Sequence, residues 1–319
     1  MNEKFEIPRE LLERTLLYSE IPSLPAPRRG KVRDVYDLGD RLLMVTSDRV
    51  SAFDVVLGTI PIKGQVLTAV TAWWFEQTRR VVANHIIAQP DPAALLVKKL
   101  RPLPVEVVVR RYITGSLYQA YQKGERDIYG LNLPPGLHAD QRFEKPVFTF
   151  TTKGEAGEHD LPLRPEEVVE RGLVPEKYFN ELQQKALALF DLGERLAAQR
   201  GLILVDTKYE FGLDGDKLLV MDEIHTPDSS RYWEADSYAE LFRQGKPQRM
   251  LDKENLRQWL RQRGFSGEGQ PPPLDDQVRL ELASTYARLQ LRLTGGWPQL
   301  DTSPAGQRLL ENLKRSGII

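Results

Sequence analysis

The chain has 319 residues, of which 41% are hydrophobic, so it is long enough for about two structural units and apolar enough to bury a core. Lysine and arginine number 44 and aspartate and glutamate 45. The resulting net charge of −1 argues against a dedicated nucleic-acid binder, although it permits local basic pockets. There is no cysteine, which excludes disulfide frameworks, zinc fingers, thiol nucleophiles and iron–sulfur ligation.

No apolar run in the chain approaches the roughly 18 residues that a membrane span requires. The first 20 residues include several glutamates, whereas secretory and organellar targeting peptides lack acidic residues. We expect this segment to form a short amphipathic helix, with Pro8 near its first turn and Leu11, Leu12 and Leu16 on one side. We therefore expect a cytoplasmic protein without membrane contact.

The first third of the chain has the patterns of strands and one helix. Residues 31–46 alternate as in a β-hairpin, with Gly39 and Asp40 as the Gly-X pair that a type II′ turn accepts. Residues 66–82 are predicted to be helical, with Trp74 and Phe75 in the core.

Later segments are assigned in the same way. We expect a short buried strand at 105–109, helices at 165–200 and 275–293, a strand at 202–206, a second hairpin at 209–223 and a loop at 263–274. Strands dominate the first third and helices the last, which predicts an α+β fold. We divide it into two sheet-containing units, 1–105 and 106–240, and a C-terminal helical region, 241–319, packed on the core.

Familiar catalytic motifs are missing from the sequence. It contains no Walker A P-loop, no G-x-G-x-x-G after a strand, no G-x-S-x-G and no H-E-x-x-H. Any chemistry must therefore rest on less common motifs, and four stretches are candidates.

The first stretch is Gly30-Lys-Val-Arg33, at the start of the first hairpin. Strand alternation would put Lys31 and Arg33 on one face, and Gly30 would let the backbone approach a ligand closely. A flap over phosphates would use these features. A solvated edge strand, in which the cations prevent aggregation, is the alternative.

The second and third stretches follow predicted strands. Ser47-Asp-Arg-Val-Ser-Ala-Phe-Asp54 is either a ligand-binding loop or an ordinary polar turn. In Arg110-Arg-Tyr-Ile-Thr-Gly-Ser116, the last residues would begin a helix whose free N–H groups attract anions, with Arg110 as counter-charge. The alternative there is a simple N-cap.

The fourth stretch is the second hairpin. Lys208 and Glu210 share a face because they are two residues apart. A two-residue turn at Asp214-Gly215 would send Asp222 to the opposite face. A three-residue loop, with Gly215 in the left-handed position of a G1 bulge, would bring Asp222 to the same face, and this is our prediction. Two carboxylates beside a lysine suit a Mg²⁺ and triphosphate site, whereas the alternative is a surface hairpin with charge pairs.

Six motifs follow one another along the chain: Gly30-Lys-Val-Arg-Asp-Val-Tyr36, Ser47-Asp-Arg-Val-Ser-Ala-Phe-Asp54, Ile113-Thr-Gly-Ser116, Thr152-Lys-Gly-Glu-Ala-Gly-Glu-His-Asp160, Asp206-Thr-Lys-Tyr-Glu-Phe-Gly212 and Asp222-Glu-Ile-His-Thr-Pro-Asp-Ser-Ser-Arg231. They cover 29–238, about two-thirds of the chain. In this order they resemble the motifs of the SAICAR synthase family (phosphoribosylaminoimidazole-succinocarboxamide synthase).

This resemblance implies an ATP-dependent ligase of purine biosynthesis. Such an enzyme joins L-aspartate to the carboxylate of CAIR (carboxyaminoimidazole ribonucleotide) through an acyl phosphate, giving SAICAR, ADP and phosphate. The implied fold is related to ATP-grasp enzymes and kinases, with ATP in a cleft between two sheets. Its substrates would be small molecules, and the sequence carries no signal for an oligomeric state.

The resemblance also implies roles for individual residues. Glu210 and Asp222 would bind Mg²⁺ and, with Lys208 at the phosphates, form the catalytic set. ATP would contact Gly30, Lys31, Val32, Arg33, Glu106, Val107, Val108 and Lys208. The nucleotide substrate would contact Asp54, Arg110, Ser116, Asp228, Ser229, Ser230 and Arg231, chiefly through its 5′-phosphate. Further partners for phosphates or for aspartate are Arg49, Lys63 and Lys153.

Two other interpretations compete with the ligase. A small-molecule kinase of the inositol-phosphate type shares a stretch like 206–212, but it needs no Thr226-Pro-Asp-Ser-Ser-Arg231 motif. A non-catalytic nucleotide-binding module is disfavoured because the carboxylates at Glu210 and Asp222 are intact. Spacing favours Arg110 over Arg111 as the ligand, and His225 is expected to be structural.

Overall fold

The computed structural model describes residues 5–153 and 161–319. A five-stranded antiparallel sheet forms first, in the order β1-β2-β3-β7-β6. Its strands are β1 (Arg28–Arg29), β2 (Arg33–Asp37), β3 (Arg41–Thr46), β6 (Ile86–Asp91) and β7 (Ala94–Lys98). Between them, β4 (Arg49–Ala52) and β5 (Val55–Thr59) pair with each other.

A second, six-stranded antiparallel sheet has the order β10-β9-β8-β11-β12, and β13 also pairs with β11. Its strands are β8 (Arg101–Ile113), β9 (Gln141–Thr152), β10 (Pro162–Leu163), β11 (Leu202–Asp214), β12 (Lys217–Met221) and β13 (Ser230–Glu234). Long β8 and β11 lie side by side at its centre, so residues 101–113 and 202–214 face one another.

The described residues contain eight α-helices. They are α1 (Lys63–Thr78), α2 (Gly115–Gln122), α3 (Pro165–Glu170), α4 (Glu176–Ala198), α5 (Ala235–Arg243), α6 (Glu254–Gln262), α7 (Asp276–Thr294) and α8 (Ala305–Arg315). Trp74 and Phe75 of α1 are buried in the main hydrophobic core, as expected. Helix α7 packs against α1 and contributes to the same core, so the C-terminal region is part of the globular body. No described helix is long and apolar enough to span a membrane.

The expected N-terminal helix is much shorter than predicted. A single 3₁₀ helix occupies Arg9–Glu13 after Pro8, and Leu11 and Leu12 are buried. The apolar pattern was therefore interpreted correctly as a buried side, but the segment lies on the core as mostly irregular chain. Residues 1–4 lie outside the described part.

The first hairpin has the predicted turn. Gly39 has a φ of +92°, and the Leu38 amide donates to the Arg41 carbonyl at 2.9 Å, which closes a two-residue loop over Gly39-Asp40. The register of the second hairpin was wrong. Asp214 pairs with Lys217, so the loop is Gly215-Asp216 and has two residues rather than three.

The predicted unit boundary at 105/106 falls inside β8, and the chain passes from the first sheet to the second between Lys98 and Arg101. The short apolar run at 105–109 marked the buried middle of a longer strand. The division into functional units stays a prediction. Helices α5, α6 and α8 were not predicted.

Candidate active site

An open cleft of about 660 Å³ collects most of the candidate residues. It is bordered by β8 and β11, by the loop after β4, by the loop before β13 and by α6. Among the described residues it is lined by Lys31, Ser51, Ala52, Phe53, Asp54, Glu106, Val108, Arg110, Ser116, Gln119, Asp206, Lys208, Pro227, Asp228, Ser229, Ser230, Arg231, Asp252, Lys253, Glu254, Arg257, Arg261 and Ser266.

Lys208 is the centre of a charged cluster on the facing strands β8 and β11. Its Nζ donates to Glu106 Oε1 at 2.6 Å and to Glu210 Oε1 at 2.7 Å, while Lys153 pairs with the other oxygen of Glu210. Burial acts to lower the pKa of Lys208, but Glu210, Glu106 and Asp222 outweigh it and hold this pKa well above its ordinary value. Burial likewise opposes ionisation of Glu210, yet Lys208 and Lys153 bring its pKa below the usual range. Lys208 and Glu210 are therefore charged at neutral pH.

The position of Asp222 is not set by strand pairing, contrary to our prediction. Since β12 ends at Met221, Asp222 lies just beyond the paired strand, with a left-handed φ of +66°. There it pairs with Arg33, whose other nitrogen contacts Glu223 at 2.9 Å, and its charge acts on Lys208. Asp222 therefore acts on Lys208 through its charge, and it owes its position beside Arg33 to a change of backbone conformation and not to a G1 bulge.

The stretch at 30–33 does not present its two cations on one strand face. Strand β2 begins only at Arg33, so alternation does not extend to Lys31, which pairs with Asp54 at the rim of the cleft. Val32 accepts hydrogen bonds from the Ser47 amide and hydroxyl through its carbonyl. The segment therefore connects the charged cluster to the loop at 47–54.

Arg49 holds the backbone of the 30–33 segment in place. It is 1% exposed, pairs with Asp34 at 2.8 Å, and donates to the carbonyls of Gly30 and Lys31 at 3.0 and 3.1 Å. Its guanidinium is thus occupied by the backbone of the 30–33 segment. A direct contact with phosphate or aspartate, which the resemblance implied, would require these bonds to break.

Strand alternation also separates Glu106, Val107 and Val108. Glu106 and Val108 line the cleft, whereas Val107 is fully buried in the core on the opposite face of β8. Val107 can therefore reach a ligand only through its backbone.

A second cationic group lies farther along the same strands. Arg110 and Arg231 share Asp206, with Arg110 Nη1 at 3.0 Å from its carboxylate. The guanidinium of Arg231 lies against Gly115 at the start of α2, where a Cβ would come within 2.3 Å of its Nη2. A larger residue would have to displace this guanidinium and would be strained at the positive φ of +56°, so glycine lets Arg231 pack against the Thr114-Gly-Ser116 motif.

Arg111 faces away from this group. It forms hydrogen bonds with both carboxylate oxygens of Glu194 on α4, at 2.6–3.1 Å. The structure therefore separates the two adjacent arginines as their spacing suggested, with Arg110 toward the cleft.

His225 does not line the cleft. It is buried against Trp74 and Tyr209, and burial lowers its pKa to about 3.

The loop before β13 is held rigidly. Asp228 binds Lys63 at 2.8 Å and Lys253 at 3.4 Å, and it accepts a hydrogen bond from Tyr286. Ser230 donates to Thr207 at 2.7 Å, and Ser229 bonds to Thr226. Because Lys63 is fully buried against Asp228, it supports this loop and does not line the cleft.

The stretch at 47–54 contains β4 and the turn that follows it. Ala52 pairs with Val55, so Phe53 and Asp54 form a two-residue hairpin turn, and their φ angles of +52° and +64° are those of a type I′ turn. Asparagine, aspartate and glycine are the usual residues in such a turn, so Phe53 is the unusual one. Its ring borders the cleft, with Arg261 5.3 Å over it.

Sequence reasoning missed the side of the cleft formed by 252–266. The residues from this region are Asp252, Lys253, Glu254, Arg257, Arg261 and Ser266. Glu254 pairs with both Arg257 and Arg261, and such spacing is common on any solvated helix. The one available signal was an uneven share of basic residues on α6. Of the motif at 152–160, only 152–153 lie inside the described residues.

The fold and the cleft define a class of protein. Cations and carboxylates from two sheets, without a thiol or a Walker motif, indicate an enzyme that transfers phosphoryl groups by positioning and charge neutralisation. Comparison with known proteins gives the family. The SAICAR synthetase family model matches residues 27–273, and the chain belongs to this family.

Individual relatives agree with this assignment. The phosphoribosylaminoimidazole-succinocarboxamide synthase of Legionella pneumophila (strain Paris) is 45% identical over 92% of this chain and 96% of its own length. A solved SAICAR synthase from Saccharomyces cerevisiae, complexed with SAICAR, is 32% identical, covers 90% of this chain and 100% of its own, and has a TM-score of 0.77. A SAICAR synthetase solved with ADP shares the fold at 23% identity and a TM-score of 0.66, over 86% of this chain and 100% of its own. The predicted α+β fold and the ATP-dependent ligase are thereby confirmed, and the kinase is not favoured.

Proposed function

We propose that this chain joins L-aspartate to the carboxylate of CAIR, consuming ATP and releasing SAICAR, ADP and phosphate. One observation carries the proposal: a single cleft holds two charged groups at a fixed separation along β8 and β11. The group around Lys208 includes Glu106, and the group around Asp206 includes Arg110. Arg110 lies four positions beyond Glu106 on β8, which is about 13 Å at the usual rise per residue. A mononucleotide could lie between them.

The Arg110 group is proposed to bind the 5′-phosphate of CAIR. Arg110, Ser116 and Arg231 offer two guanidinium groups and a hydroxyl beside the start of α2, which suits a dianionic phosphate. Ser229 and Ser230 border the same region and are proposed to contact the nucleotide. Asp54, in the turn between β4 and β5, is proposed to lie near its imidazole or ribose.

The Lys208 group is proposed to bind the phosphates of ATP. Lys208 would neutralise charge on the transferred phosphoryl group, and Lys31 and Arg33 would cover the phosphates after leaving their carboxylate partners. The adenine would lie along the 106–108 segment. Lys153, which now pairs with Glu210, is proposed to contact phosphate or aspartate when that pair opens.

Mg²⁺ is proposed to bind Glu210 and Asp222. No group of three or more His, Asp or Glu side chains within the described ranges could hold a metal ion alone. Two carboxylates beside a phosphate site nevertheless suit Mg²⁺, which commonly binds one or two carboxylates together with substrate phosphates and water. Bound there, the ion would supply charge neutralisation during phosphoryl transfer.

The proposed reaction has two steps. A carboxylate oxygen of CAIR attacks the γ-phosphorus of ATP, the bond to the bridging oxygen breaks, and ADP leaves. The amine of aspartate then attacks the acyl phosphate, phosphate departs, and the nitrogen loses a proton. The protein contributes orientation and charge and requires no covalent nucleophile.

The test is ADP release and SAICAR formation with CAIR and ATP, with and without L-aspartate. We expect SAICAR only when all three substrates are present, in equal amounts with ADP. Sustained ADP release that does not depend on aspartate, with a phosphorylated product, would contradict the ligase.

A further inference from the structure

Helix α7 supports one residue of the cleft lining, Asp228, through Tyr286. Tyr286 does not belong to the cleft lining of the described chain, and it is fully buried in the main core. Its hydroxyl nevertheless donates to Asp228 Oδ1 at 2.5 Å. Asp228 does line the cleft.

Three separate parts of the chain hold this carboxylate. Lys63, the first residue of α1, binds Oδ2 at 2.8 Å, and Lys253 approaches the same oxygen at 3.4 Å. Tyr286 alone contacts Oδ1 among these three partners. Burial opposes the charge on Asp228, but the two lysines outweigh it and bring its pKa below the usual range.

An ionised carboxylate can only accept hydrogen bonds, and each oxygen has two acceptor positions. The lysines occupy Oδ2, while the Tyr286 hydroxyl takes one position on Oδ1 and leaves one. Asp228 is therefore unsuited to a phosphate, which is also an acceptor and an anion. It is suited to a donor on the substrate, either a hydroxyl or an amino group.

We propose that Tyr286 is a positioning residue for nucleotide-substrate recognition: it orients Asp228 so that one oxygen accepts a hydrogen bond from a hydroxyl or amino group of the substrate. This inference rests on the proposed function. It gives α7 a role in recognition in addition to its role in the core.

The test compares Tyr286→Phe with the wild type. The variant keeps the ring and loses the hydroxyl, so Asp228 should lose its orientation. We expect the KM for CAIR and its equilibrium dissociation constant to rise about tenfold, the effect of one hydrogen bond to a charged group. The values of kcat and of KM for ATP should stay within about twofold. Tyr36→Phe is the matched control, because Tyr36, on β2 of the first sheet, likewise loses a buried hydroxyl contact, in its case to Ser19.

A double-variant cycle separates positioning from general stabilisation. If Tyr286 acts through Asp228, adding Tyr286→Phe to Asp228→Asn should raise the KM for CAIR by no more than about twofold. Full multiplication of the two effects would overturn the inference. An unchanged KM for CAIR in Tyr286→Phe, or an equal change in Tyr36→Phe, would also overturn it.

The same experiments distinguish this inference from the proposed function. A wild type that forms SAICAR, with Tyr286→Phe unaffected, would overturn the inference alone. A wild type without aspartate-dependent SAICAR formation would overturn both. If Asp228→Asn does not fold, the single variant and its control decide the question.

Discussion

Asp222 shows how a single backbone angle places a charged group. The alternation of β12 would put this residue on the wrong side of the sheet for a partner of Glu210, because the hairpin has a two-residue turn. Its left-handed φ ends the strand and turns the carboxylate toward Arg33. A non-glycine residue in this region carries strain, which the ion pair with Arg33 helps to offset.

Replacing Asp222 with Asn tests the proposed metal site. The variant keeps the shape of the side chain but removes a charge that a hard cation prefers, so turnover at limiting Mg²⁺ should fall by orders of magnitude. The melting temperature should fall only slightly, since Arg33 keeps Glu223. Steady-state activity across a Mg²⁺ titration and thermal melts without metal provide the measurements.

Asp214→Asn is the control for that variant, because Asp214 lies on the same hairpin and forms an exposed pair with Lys98. Near-normal activity of Asp222→Asn at low Mg²⁺ would show that Asp222 is not a ligand.

Lys153 occupies a carboxylate that Mg²⁺ is proposed to need. Replacing it with Gln should tighten divalent-metal binding to the nucleotide-free protein about fivefold, the equivalent of about 1 kcal/mol for a partly exposed pair. Titration with Mn²⁺ in the absence of ATP measures this affinity. Lys98→Gln serves as control, and equal or weaker binding by Lys153→Gln would show that Lys153 does not compete with the metal.

At the scale of elements, helix α4 packs on β11 through a glycine. A Cβ at Gly193 would lie 2.6 Å from His225 Cε1 and 2.8 Å from Leu204 Cδ2, and both neighbours are buried. Gly193→Ala should therefore lower the free energy of unfolding by about 1–3 kcal/mol, although alanine is the better helix former.

Gly306, in α8, has the opposite surroundings, since its nearest contact would be Leu16 Cδ1 at 3.9 Å. Gly306→Ala should stabilise the protein by up to about 1 kcal/mol. Urea unfolding of both variants gives the comparison. Stabilisation by Gly193→Ala would mean that α4 can move away from the sheet at low cost.

The elements differ in how well their sequence identifies them. Helix α1 and the first hairpin were predictable because local periodicity and turn chemistry determine them. Helices α5, α6 and α8 were not predicted because they are short, at 9, 9 and 11 residues, and rely on packing against distant elements. The register of the second hairpin was wrong because Gly215 suits either loop length, and only pairing along β11 and β12 decides between them.

At the scale of the whole molecule, the sequence motifs identified most residues that line the cleft, but they did not predict which charged residues pair with each other. Arg33 and Asp222 are 189 positions apart, and Lys63 and Asp228 are 165 apart. No local pattern encodes such pairs. The sequence thus identified Lys63 and Arg49 as important cations, whereas their contacts show that both are occupied by supporting interactions.

His225 should make the stability of the protein depend on pH. Burial favours the neutral ring and lowers its pKa to about 3 in the folded state, against about 6.5 in the unfolded chain. The contribution of His225 to the free energy of unfolding is complete above pH 6.5 and is lost as the pH falls toward 3. In this range His225 binds a proton in the unfolded chain but not in the folded protein. At about pH 5 the loss from this residue should be about 2 kcal/mol.

The measurement is the free energy of unfolding in urea at about pH 7.5 and about pH 5, for the wild type and His225→Gln. The variant should be less stable at both values, but its loss of stability between them should be smaller by about 2 kcal/mol.

Two other buried groups titrate in this range. Burial lowers the pKa of His85 to about 4 and raises that of Asp252 to about 7, so a fall in pH destabilises the protein through His85 and stabilises it through Asp252. Both remain in the variant, so their contributions cancel when the two losses are compared. Equal losses in His225→Gln and the wild type would show that the ring is accessible to protons in the folded protein, contrary to its position between Trp74 and Tyr209.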